Sequence, residues 1–136
     1  MFEKFQFSPK QIVNYFASAN RDLKIARQSK VAEVAFRFSY DALLKLAIAV
    51  CAIEGLRVKA RKGHHIALIG KLAKIIGDSE IEVLGNRMRA KRNWELYDGG
   101  MIISQKEVSE YLIWVVEVFK KAQNYADDKN RHLKLF

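Results

Sequence analysis

Residues 42–53 read Ala42-Leu-Leu-Lys-Leu-Ala-Ile-Ala-Val-Cys-Ala-Ile53, and this run decides the fold. It holds one charge, Lys45, in twelve residues. A helix apolar on nearly every side is a buried central helix or a membrane span. Twelve residues fall short of the roughly 18–20 that a span needs. Arg37, Asp41 and Lys45 recur at i, i+4 and i+8 and give one polar face. Val31 to Glu54 is therefore a central core helix that the remaining helices surround, and it stops at Gly55, a natural residue just past a helix end.

Outward from this core, the boundaries of the other helices are written in capping residues. Ser8-Pro9-Lys10-Gln11 combines an N-cap serine, a proline suited to the first helical position and a capping-box glutamine. Phe7 and Ile12 are spaced as a hydrophobic staple. Ile12, Phe16, Ala19, Leu23 and Ala26 then repeat at helical spacing to about Gln28. No Gly or Pro separates this helix from the central one, so the pattern allows a single bent helix. Leu56 to Gly63 reads as a basic loop. His64-His65 opens a third helix that Gly77 closes. Asp78 or Ser79 caps a fourth, from about Glu80 to Leu96, with Asp98-Gly99-Gly100 at its end. Ser104 and Glu107 form a second capping box before a fifth helix carrying Val108, Tyr111, Leu112, Val115, Phe119 and Ala122 on one face. No strand is expected. The reading is an all-α, antiparallel up-and-down bundle of about five helices with a long central helix. It makes one domain over residues 1–126, followed by a flexible basic tail over 127–136.

The single Cys51 lies in the apolar run and is a small buried residue rather than a nucleophile. The N-terminus lacks the apolar core of a signal peptide, and the expected location is cytoplasmic. Charge is concentrated. Of the net +9, the segment from Arg57 to Arg92 supplies most, with ten basic residues against three acids. Such clustering is the footprint of an anionic partner, nucleic acid first.

The fourth helix breaks its own pattern. At about 100° per residue, Ile81, Leu84, Gly85 and Met88 share one stripe, and Arg92 falls in its middle. A guanidinium is not buried alone, so it must meet a carboxylate, a bound anion or a water-filled cleft. Asp41 is the first internal candidate and Glu33 the second. One reading is a structural Arg92–Asp41 pair that fixes helix register. The other is an anion-binding arginine.

Arg92-Asn93-Trp94-Glu95-Leu96-Tyr97, preceded by Arg89, resembles the signature of HEPN domains, all-α bundles of prokaryotic toxin–antitoxin systems and nucleotidyltransferase-linked pairs. Tyr40-Asp-Ala-Leu-Leu-Lys, the Glu54-Gly55-Leu-Arg-Val turn and Gly63-His64-His65 are also similar to small members. The resemblance implies a homodimer whose Arg–polar–His sets line a basic cleft, where RNA is cut without a metal. It implies phosphate held by Arg92, oriented by Asn93 and capped by Tyr97. Asp41 would position Arg92, and Arg89, His64 and His65 would add ligand contacts. A nucleotidyltransferase or antitoxin is the implied partner protein. The chain departs from the signature where the His would stand, at Tyr97. Tyrosine, with an ordinary pKa of about 10, is a poor base at pH 7, though it can bond a phosphate or stack on a base. The function expected is RNA or nucleotide binding. The alternatives are a non-catalytic interaction module and a weak metal-independent endoribonuclease in which His64 or His65 reaches the cleft.

No cofactor and no metal is expected. Adjacent histidines point about 100° apart on a helix and make a poor chelate, and no further ligands accompany them. A helix-turn-helix over Ile66 to Arg92 is opposed by the inward direction of Arg92. No phosphate-binding Gly-rich loop or nucleophile elbow occurs. Trp94 lies on the outer face with Arg87 and Lys91, as a dimer anchor or a stacking platform.

Overall fold

The computed structural model describes residues 1–98 and 103–133, with side chains for 1–94 and 103–131. Five helices, α1 (Pro9–Gln28), α2 (Ala32–Ile53), α3 (His64–Ile76), α4 (Ser79–Asp98) and α5 (Gln105–Leu133), form an all-α bundle. The α2 helix lies at its centre and packs against the other four. Leu43, Leu46, Ala47, Ala49 and Val50 of α2 are fully buried, which is why this stretch tolerates so little charge.

Ser8, Asp78 and Ser104 cap helices where the sequence places them; Ser8 with Gln11 closes a full capping box, whereas the Glu107 carboxylate goes to Lys91 Nζ at 2.9 Å instead of back to Ser104 N. Ser8 Oγ accepts from Gln11 N at 3.1 Å, and Gln11 Oε1 accepts from Ser8 N at 2.8 Å. Ile12, Phe16, Ala19, Leu23 and Ala26 are all buried. Phe7 stands edge-on to Tyr15 at 6.2 Å between ring centroids. The chain breaks between α1 and α2 rather than bending. Ser29 and Val31 adopt extended backbone, and Ser29 Oγ takes the N–H of Val31 at 3.2 Å. That local bond competes with the helical one. Asp78 Oδ1 caps α4 through Glu80 N at 3.0 Å, while its other oxygen meets Lys121 Nζ of α5 at 2.6 Å. Ser104 Oγ caps α5 through Glu107 N at 3.0 Å.

Two expectations are corrected. Part of the basic loop is a strand: β2 (Leu56–Val58) pairs antiparallel with β1 (Phe2–Lys4) in the register Phe2↔Val58, Glu3↔Arg57, Lys4↔Leu56. Three-residue strands are too short to show alternation, and these pair across the whole of α1 and α2. The expected tail is helical through Leu133, held by Tyr125 Oη donating to Glu54 Oε2 at 2.5 Å and by Lys129 Nζ 3.6 Å from the same oxygen. Gly99 and Gly100, expected to end α4, and residues 134–136 of the expected tail lie outside the described residues.

One buried charge was not foreseen. Asp22 of α1 is 2% exposed at its side chain and meets Lys45 Nζ of α2 at 2.7 Å, an ion pair rather than an aligned hydrogen bond. Lys45 thus joins the two longest-contacting helices.

Candidate functional site

The position of α3 against α4 builds the site. Both helices approach closely because Gly85 has no side chain: a Cβ there would stand 2.7 Å from Ile69 Cγ2. Gly63, at φ 84°, turns the basic loop into α3 in a left-handed conformation that a residue without Cβ adopts freely. The N-terminus of α3 thereby lies beside the last turns of α4.

Between them is a cleft of about 610 Å³ lined by Ala60, Arg61, Lys62, Gly63, His64, His65, Ile66, Arg89, Arg92 and Asn93. His64, His65, Arg89, Arg92 and Asn93, all singled out from the sequence, therefore meet at one place. Among the described residues no carboxylate lines it. A second cavity of about 590 Å³ near the far end of α3 carries both signs, Asp78 and Asp128 with Lys121 and Arg131. Of these two, the first has the one-sided charge that an anion requires, and the positive end of the α3 dipole adds to it.

Arg92, half-buried, makes no ion pair with Asp41 or Glu33. The expected structural pair is absent. Asp41 stands on an exposed face of α2 and does not line the cleft. Its carboxyl is pushed above the ordinary value by partial desolvation and by the neighbouring Asp22, and the field of Arg92 opposes this only weakly. Arg89 Nε donates to Asn86 Oδ1 at 3.1 Å, which fixes that side chain along α4. Tyr97 belongs to α4, but its side chain lies outside the described residues.

Behind the cleft, Tyr40 of α2 reaches His65. The phenol oxygen is 3.0 Å from His65 Nδ1, and the rings are 5.8 Å apart. Burial pushes the Tyr40 hydroxyl up to about 12, against the pull of Arg92 and Arg89. Burial also pushes His65 down to about 4, assisted by His64, Arg92 and Arg89. At neutral pH the pair is therefore a phenol and an uncharged imidazole. His64 turns its Nδ1 to the Arg61 carbonyl at 2.8 Å.

Tyr40, Arg61 and Lys62 were not among the site residues expected. A tyrosine inside the apolar helix was the available signal, since a buried hydroxyl needs a partner. Among the described residues no group of three or more metal-ligating side chains occurs. No helix of the described residues is long and apolar enough to cross a membrane. No family model matches this chain, and neither a curated protein nor a solved structure does.

Proposed function

We propose that this chain is a HEPN-like domain that binds RNA or a nucleotide through phosphate. The observation that carries this reading is the convergence of Arg61, Lys62, Arg89 and Arg92 on one cleft lined by no carboxylate among the described residues. Arg92 offers a planar fork of donors to phosphate oxygens. Asn93 beside it orients the anion and Arg89 adds charge, while a role for Tyr97 rests on the resemblance alone. The lack of an Arg92–Asp41 pair disfavours a purely structural role for Arg92, because its charge is left for a ligand.

In this reading the domain is a homodimer that joins two such clefts. Trp94, 51% exposed on the residue after Asn93, is the anchor best placed for that contact. An antitoxin or nucleotidyltransferase partner rests on the resemblance alone. A second reading, metal-independent RNA cleavage, is favoured by one observation: an imidazole, His64, lines the cleft although the signature His is replaced by Tyr97.

The test is RNA binding by wild type and Arg92→Ala, with both melting curves. The wild type binds with log affinity falling by roughly 2–3 per decade of salt, as for three or four phosphate contacts to a single strand. Arg92→Ala weakens binding tenfold or more and melts within a few degrees of wild type. A wild type that ignores RNA at low salt would end this proposal. Product analysis in the same tubes decides the second reading.

A further inference from the structure

A cavity of about 210 Å³ lies apart from the basic cleft and shares none of its lining residues. Its walls include Ile48 and Cys51 of α2, Leu68 of α3, Leu56 of β2 and the rings of Phe7 and Tyr15. Among the described residues, one lining side chain is charged, that of Arg57. This side chain is 48% exposed, so its guanidinium stands where the cavity meets solvent.

The antiparallel pairing of Glu3 with Arg57 decides how that guanidinium is used. Arg57 Nε and Nη2 both donate to one oxygen of Glu3, at 2.9 and 2.6 Å. The Phe5 ring, with its centroid 4.1 Å from Arg57 Cζ, backs the group. A guanidinium has five N–H donors. Three of them, two on Nη1 and one on Nη2, therefore have no partner among the described residues. Nη1 and Nη2 together form an outer fork, and a carboxylate fits such a fork through two parallel bonds. Lys71, whose field reaches Cys51, adds positive charge nearby.

Apolar walls with one unfilled fork of donors at the rim suit an amphipathic acid. Size narrows the class. An apolar cavity of about 150 Å³ holds a benzene ring, and at that packing this one holds roughly eight carbons. We propose that the cavity binds a small monocarboxylic acid with an apolar body of roughly that size: the body fills the space among Cys51, Leu68 and Phe7, and the carboxylate lies on the outer fork of Arg57. Glu3 then competes for the same charge. Binding here does not depend on the phosphate reading of the basic cleft, and neither outcome decides the other.

Calorimetric titration of the full chain at pH 7.5, where an ordinary carboxylic acid is ionised, compares hydrocinnamate with hydrocinnamyl alcohol. The two share an apolar body and differ in the charged end. Wild type binds the acid with a Kd on the order of 0.1–1 mM, and about fivefold more tightly than the alcohol. Arg57→Gln brings the two within about twofold. Glu3→Gln removes the competing charge and strengthens acid binding about two- to threefold. Cys51→Met extends a flexible side chain into the cavity and weakens both ligands about tenfold or more. The inference is overturned if wild type binds neither compound, if acid and alcohol bind alike, or if Arg57→Gln keeps the acid preference. A folded Cys51→Met that binds both compounds as wild type does would place them outside the cavity and overturn it as well. The wild-type comparison of acid with alcohol needs no variant, so a Cys51→Met that fails to fold does not blunt the test.

Discussion

Tyr40 Oη lies 3.0 Å from His65 Nδ1, and through this contact the core of the bundle reaches the wall of its basic cleft. Tyr40→Phe keeps the ring in the core and deletes the hydrogen bond. It should cost about 1 kcal/mol, a melting shift of roughly 3–5 °C for a chain of this size. Under the proposed function, loss of this anchor on the His65 ring should also lower RNA affinity about two- to threefold. A melt and a binding titration check both numbers. An unchanged melting point would mean that the bond contributes nothing.

The same contact has a pH signature. His65 is held down at about 4, well below the ordinary imidazole value of 6.5. Above pH 6.5 neither folded nor unfolded chain protonates it. As pH falls from 6.5 toward 4, the unfolded chain takes up a proton that the folded chain refuses, so stability declines across that window. Melting points of wild type and His65→Gln, compared from pH 7 to pH 4, should converge as the wild type loses its advantage. Parallel curves would place the acid sensitivity elsewhere.

Gly85 is where α3 and α4 touch. A Cβ there would stand 2.7 Å from Ile69 Cγ2 and 3.5 Å from Leu43 Cδ2, both on buried core side chains. Gly85→Ala gains roughly 1 kcal/mol of helix propensity but overpacks the contact by about 1–3 kcal/mol. The net expected is destabilisation of about 1 kcal/mol, and under the proposed function weakened RNA binding, because the cleft is formed across this interface. Adding Ile69→Leu, which removes the offending branch methyl, should recover part of the loss, and a double-mutant cycle reads that coupling.

Lys45→Met strands Asp22, which is 2% exposed at its side chain. Breaking a fully buried pair costs about 3–5 kcal/mol. Lys45 is 28% exposed, and solvent screening brings the expectation down to about 2 kcal/mol. Asp22→Asn in the Lys45→Met background should restore stability at neutral pH, since the stranded charge is gone. Denaturant unfolding of wild type, Lys45→Met and the double variant tests this.

Cys51 is 1% exposed, and burial pushes its thiol up to about 12. It should react with a thiol reagent only at the rate of unfolding and serve as a probe of it. Rapid labelling of native protein at pH 7.5 would contradict the packing of α2.

The legible parts were those decided by neighbours in the chain. Ser8 with Gln11, Gly55, Gly77 and Asp78 mark helix ends through bonds spanning a few residues, and the structure ends helices where they stand. The apolar stripe of α1 and the uniform apolarity around Leu46 mark the core for the same reason. Arg92 was legible as an anomaly, but its partner was not. Asp41 was the nearest acid by pattern, yet α2 turns it outward and gives Lys45, four residues on, to Asp22. His64 and His65 were visible as a pair, but which end of α4 they approach depends on how α3 packs, and that is set at Gly85 and Ile69. Tyr40 was read as part of the central helix because helical spacing says nothing about a hydroxyl's partner.

The small sheet has a consequence for the order of events in folding. Glu3 and Arg57 face each other across it, 54 positions apart in the chain, and Lys59 N bonds Met1 O at 2.8 Å just before the loop that supplies Arg61 and Lys62. Helices form from local contacts, whereas this clasp must close a long loop and carries that entropy. The wall of the cleft should therefore be completed after the helices that flank it, so that closure of the Glu3–Arg57 contact trails the recovery of helical signal when the chain refolds.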